Sequence, residues 1–193
     1  MNRASATRHI ARFGLVYALL SAAASVGIAS AQTAAPMEAP AMLNAVDFNF
    51  VGQANLGAPF QVDSGRLAET KSTSAAVRSY AHLMVTSHIP VVNALNAILQ
   101  HKNITPSNTL LHGAYDAMLS TLKADHGTGF DRDYVNGQVE YQKGNAALFQ
   151  QEIQNGSDPD LREFARQTLP KIEDHLQRAL KLAGLSSGGS ASN

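Results

Sequence analysis

From residue 45 onward, apolar residues recur at spacings of four and three, the period of a helix face, and no run alternates in the manner of strands joined by hairpin turns. The first such stretch, 45–71, repeats at Val51, Ala54, Ala58, Gln61, Gly65 and Ala68, and its small residues predict a closely approaching neighbour. The second, 74–102, starts near Ser74 and runs Val77, Ala81, Met84, His88, Val91, Leu95 and Ile98, ending before Asn103 and Pro106. A shorter stretch, 107–124, carries Leu110, Leu111, Tyr115, Met118, Leu119 and Leu122 and stops near His126-Gly127. The fourth, 129–155, shows Val135, Val139, Gln142, Ala146, Phe149 and Ile153, and Asn155-Gly156 closes it. Asp158 followed by Pro159 is an N-cap and first-turn signal for the last helix, which places Leu161, Ala165, Thr168, Ile172, His175, Ala179 and Leu182 on one face and ends at Gly184.

Four long seams, short links after the first and fourth helices, and a long connection between the second and fourth predict two antiparallel hairpins. The expected fold is all-α: a ferritin-like four-helix bundle, with the short third helix as a crossover packed on its outside. Each long seam is interrupted by one polar residue: Gln61, His88, Gln142 and His175. At about 1.5 Å of rise per residue, the two members of each hairpin differ in depth by roughly 6–8 Å, so all four are expected at one level. Pro59 and Pro90 stand two residues from Gln61 and His88. An interior proline removes a helical hydrogen bond and bends the axis. The two prolines therefore read either as helix breaks or as kinks that widen the bundle and leave a small cavity for water or a ligand.

Composition adds an address. Residues 1–12 hold Arg3, Arg8 and Arg12 and no acid, and an Ala-, Leu- and Val-rich run then ends in Ala29-Ser30-Ala31. This pattern predicts a secretory leader, residues 1–31, cleaved before Gln32, and no membrane span in the mature chain. Residues 32–43, with Pro36 and Pro40, read as an Ala/Pro-rich tether, 44–185 as the helical domain, and 186–193 as a flexible Ser/Gly tail. Cleavage leaves 12 basic against 15 acidic residues, a balance that excludes nucleic acid as the expected partner. No cysteine is present, which removes disulfides, N-terminal lipidation and thiol chemistry together. No nucleophile elbow, phosphate loop or dinucleotide fingerprint occurs, so hydrolases and nucleotide-dependent enzymes are not expected.

Gly65-Arg66-Leu67-Ala68, then Val77-Arg78-Ser79-Tyr80-Ala81 with Met84 and His88, then Gly129-Phe130-Asp131 before Tyr134, and Leu169-Pro170 with His175-Leu176, succeed one another in an order that resembles a known family. It comprises exported bacterial proteins with a domain of unknown function, often labelled outer membrane proteins and assigned a ferritin-like bundle. The resemblance spans Asp47 to Leu182. Members commonly carry Glu where this chain has Gln61, Asp where it has Ser87 and His where it has Gln142, whereas His88 and His175 fit the pattern. The resemblance thus implies a divalent-metal site of which half remains here.

The quartet admits two readings. Glutamine and neutral histidine both donate and accept, so the four residues can close a hydrogen-bond network inside an apolar core, and the missing carboxylate makes this the preferred reading. No cofactor is then expected. The alternative is a divalent transition metal (Fe, Mn, Zn or Cu) on His88 and His175, facing Gln61 and Gln142, with Asp131 or Glu173 as an added ligand. Asp131 reads first as a first-turn acid of the fourth helix and Glu173 as solvated. His82, His101, His112 and His126 lack metal spacing and read as surface or boundary residues. The expected function is a non-enzymatic accessory module of the periplasm or outer envelope, monomeric by default, touching an unidentified envelope protein. The alternative is a metal-binding or redox-protective protein.

Overall fold

The computed structural model describes residues 42–106 and 109–184. The predicted leader, most of the tether and the tail lie outside those residues. Five helices run in order: α1 (Ala45–Lys71), α2 (Ala75–His101), α3 (Thr109–Ala124), α4 (Gly127–Asn155) and α5 (Pro159–Leu182).

Local chemistry sets their ends. Asn44 caps α1, accepting from the Val46 and Asp47 amides at 2.8 and 3.0 Å, while the Asp47 carboxylate accepts from the Asn44 amide at 2.6 Å to complete a capping box. Ser74 caps α2 through the Val77 amide, and Asp158 caps α5 through the amides of Asp160 and Leu161, with Pro159 in the first turn. The start of α4 differs from the sequence reading, and its end falls where expected. Helix α4 starts at Gly127, whose φ of +59° turns the chain into the helix earlier than the expected residue 129. Gly156 ends α4 without a left-handed turn, at φ −63°. Its role is spatial, because a Cβ there would run into the Glu152 side chain and come within 2.7 Å of that residue's main-chain oxygen.

Helices α1 and α2 form one hairpin, α4 and α5 the other, and the hairpins meet through α1 against α4 and α2 against α5. The small seam of α1 does what its composition predicts: a Cβ on Gly65 would sit 3.0 Å from the Ala81 carbonyl oxygen and 2.9 Å from a Val85 methyl. Helix α3 bridges the long connection and lies mainly on α1, where Tyr115 stacks on Phe60 with centroids 4.7 Å apart. Lys71 holds its far end, donating to the Leu122 and Lys123 carbonyls at 3.1 and 2.5 Å. Both Pro59 and Pro90 lie inside unbroken helices, so neither is a helix break.

By length and composition α2 is the one helix, among the described residues, apolar enough to cross a membrane, yet Val77, Ala81, Met84 and Leu95 bury its seam in the bundle. The interior is divided in two. One apolar cluster gathers Phe50, Leu95, Leu99, Phe149, Leu161 and Phe164; the other gathers Ala68, Tyr80, Met84, Phe130, Tyr134 and Val139.

Candidate metal centre

The polar quartet occupies the boundary between those clusters. Gln61 on α1, His88 on α2, Gln142 on α4 and His175 on α5 are 0, 3, 0 and 4% exposed. Along the helices, Gln142 falls between Val139 of one cluster and Ala146 of the other, and His175 between Ile172 and Ala179. The common level expected from the seams is therefore present. The His88 and His175 rings meet with centroids 5.2 Å apart and planes inclined by 36°.

The closed hydrogen-bond network expected of the four does not form. His88 turns its Nδ1 back to its own helix and donates to the Met84 carbonyl at 3.0 Å, and Gln142 Nε2 is drawn to the Met84 thioether at 3.5 Å. That leaves Gln61 Nε2 and Oε1, Gln142 Oε1 and His175 Nδ1 without a hydrogen-bond partner among the described residues. A buried amide without a partner costs about 1–3 kcal/mol relative to a satisfied one. Gln61→Leu is accordingly expected to raise the stability of metal-free protein by about 1 kcal/mol, read as a higher urea midpoint; a lower midpoint would mean that the amide is satisfied in solution.

Burial pushes the His88 imidazole down to about 4 against the opposing bond to Met84, and burial together with the neighbouring His88 does the same to His175. Both rings are thus neutral near pH 7. In His88 the bond to a carbonyl fixes the proton on Nδ1 and leaves the Nε2 lone pair free. A small hollow of about 10 Å³ adjoins His88, lined in part by Ala58, Asn145 and Thr168. It is polar on one side and too small for an ordinary organic substrate.

Neither of the extra ligands considered from sequence reaches the histidines. The Asp131 carboxylate accepts from the Thr73 hydroxyl at 2.7 Å and so fastens the α1–α2 link, and Glu173 is exposed. Among the described residues no group of three or more His, Asp or Glu is placed to hold a metal. His82, His101, His112 and His126 are exposed, and His82 pairs with Glu69 at 2.7 Å.

A second polar cluster has no counterpart in the sequence reading. At the end of the bundle where α1 and α5 begin and α4 ends, Asp47, Glu152 and Asp158 are 0, 0 and 1% exposed. Asp47 accepts from the amides of Asn44, Ser157 and Asp158 and from the Ser157 hydroxyl. Those donors outweigh its burial and hold its carboxyl below the ordinary value. Lys102, closing α2, bridges Asp158 and Asp160 at 2.8 Å each. Among the described residues no group donates a hydrogen bond to Glu152. Burial, then its contact with Asp47, then the charges of Asp47 and Asp158, push its carboxyl up to about 8, so it is a protonated acid near pH 7 that can donate to Asp47. The signal that could have found it is spacing: Asp47 lies one turn before Val51 and Glu152 three residues after Phe149, both on apolar seams.

The model of a domain of unknown function, DUF4142, matches residues 32–182. The chain belongs to this family. No curated protein matches it. In the crystal, a DUF305 fragment from Deinococcus radiodurans has the same fold as this DUF4142 chain, with a TM-score of 0.66 and 16% identity over 76% of this chain and 99% of that one. A DUF305 protein of Streptomyces coelicolor described as secreted gives 0.61 and 13% over 74% and 96%. At such identities the likeness concerns the fold, a helical bundle, and function must be argued from the site.

Proposed function

We propose that this DUF4142 protein is an exported, non-enzymatic module of the periplasm or outer envelope, with a ferritin-like bundle whose middle holds a small cation. The observation that carries this reading is the failure of the buried quartet to satisfy itself. Unpartnered polar atoms in a sealed core call for an occupant, and two neutral imidazoles with a free Nε2 on His88 are nitrogen donors for a metal. The small size of the hollow beside His88 argues for holding an ion and against turnover of an organic substrate. The basic, acid-free start of the sequence and its Ala-Ser-Ala end support export.

The test is elemental analysis of natively purified protein after exposure to Fe, Mn, Zn and Cu salts and buffer exchange. One ion per chain is expected, and the double replacement of His88 and His175 by Gln should abolish it. A metal-free result for every salt would overturn the cation reading and leave an inert polar level. A second reading then takes over, a module acting through its surface, favoured by the 63% exposure of Phe48 and 40% exposure of Ile89.

A further inference from the structure

We propose that the outer face of the α1–α2 hairpin docks a second copy of this chain, Ile89 of each copy seating in a hollow of the other; the proposal is independent of the cation reading. No Asp, Glu, Lys or Arg stands between Asp47 and Asp63 on α1, or between Arg78 and Lys102 on α2. The other hairpin is the opposite. Its exposed surface is laced with ion pairs, among them Glu140 with Lys143, Glu163 with Arg166 and Asp174 with Arg178. Nor does the core account for the apolar character of α2, since only 28% of its most apolar stretch is buried. Beside Ile89, itself 40% exposed, α1 and α2 leave a surface hollow of about 170 Å³ lined by Pro59, Val62 and Val92, with Asp63 and Asn93 at its edge. An exposed helical face of this length without charge is a liability for a protein that meets only water there.

Size and polarity select the occupant. The hollow is smaller than the about 300–1,000 Å³ of an ordinary small-molecule site and suits one branched side chain. Because Ile89 adjoins the hollow, a twofold axis passing near them sets each knob over the other copy's hollow, the self-complementary contact of a symmetric dimer. Asn93 and Asn96 follow Ile89 on the same helix face at spacings of four and seven. An amide both donates and accepts, so each can pair with its own counterpart across the axis. A lipid surface offers those amides no such partner, and the uncharged runs carry no Trp, Lys or Arg to sit among head groups. A strongly charged protein likewise finds nothing to pair with. At about 1.5 Å of rise per residue and about 10 Å of width per helix, the two runs project to roughly 600 Å². Accessible surface exceeds its projection, which brings a face-to-face pair close to the about 800 Å² per partner of a standard specific interface.

The experiment is sedimentation of the whole purified protein up to about 100 μM, joined to oxidation of single-cysteine variants, which report without interference because the chain has no cysteine of its own. Twice the chain mass is expected. Asn93→Glu, at an exposed position, sets like charges against each other across the axis and should weaken association by about a hundredfold, with the helical circular dichroism unchanged. Mixing Asn93→Glu with Asn93→Lys should restore the dimer. Ile89→Lys should give single chains, and Lys143→Glu, on the other hairpin, should leave the mass as it was. Asn93→Cys should oxidise to a covalent dimer and Lys143→Cys should not. A single-chain mass at every concentration would overturn the proposal. So would a dimer that survives both Asn93→Glu and Ile89→Lys, which would place the contact on another face. Single chains that float with vesicles of phosphatidylethanolamine and phosphatidylglycerol, and cease to do so with Ile89→Lys, would overturn it in favour of a lipid surface.

Discussion

At pH 9 the Glu152→Gln protein is expected to be more stable than the native chain by about 4 kcal/mol. The gap should close toward pH 4.5. The native fold keeps a proton on Glu152 up to about pH 8, against an ordinary value of 4.5. Between those limits the unfolded chain has released a proton that the folded chain retains, so stability falls as pH rises through the window and is level above it. Glutamine has the same shape, can donate to Asp47 as the protonated acid does, and never ionises. The histidine pair works in the opposite sense. Held near 4 against an ordinary 6.5, both rings refuse protons that the unfolded chain binds, so stability is present above pH 6.5 and falls as the pH drops through 4. Asp47, below its ordinary value, adds to the loss at still lower pH. Two groups rising against one falling below pH 6.5, and one falling alone above it, place the maximum near pH 6.5. Urea unfolding of metal-free protein from pH 4 to 9 measures both limbs, and parallel native and Glu152→Gln curves would show that Glu152 is not held protonated.

Phe50→Ala should cost about 3–5 kcal/mol, a large part of the stability of about 5–15 kcal/mol typical of a domain. Phe50 is completely buried and meets Phe149 edge-on at 4.8 Å and Phe164 at 6.1 Å, joining α1 to both helices of the other hairpin. Its loss opens a cavity among three helices that cannot all move in at once. Phe48, two residues away and 63% exposed, should lose no more than about 0.5 kcal/mol on the same change. Thermal unfolding of the two variants is the check. Equal losses would mean that α1 presents a different face to the other hairpin.

The contrast between those two phenylalanines shows where sequence reading stops. The seam through Val51, Ala54 and Ala58 was legible, but Phe48 and Phe50 flank its start, and periodicity alone did not single out Phe50 as the aromatic anchor. The four interrupting polar residues were legible, because a fixed rise per residue converts sequence position into depth. Their hydrogen bonding was not. Whether two amides and two imidazoles reach one another turns on a few tenths of an ångström and on competitors such as the Met84 carbonyl and thioether, which lie on the same helix face and read from periodicity only as core.

The helices, their caps and their apolar faces were determined by the sequence itself, since each depends on interactions within a few residues: Asn44 with Asp47, Ser74 with Val77, Asp158 with Leu161. Only the tertiary structure decided what the buried polar groups do. Asp47 and Ser157 are separated by 110 positions, and the acidity of Glu152 arises from burial and from carboxylates supplied by α1 and the start of α5. Such long-range electrostatics have no local signature, because the field at a buried atom is set by whichever elements pack around it.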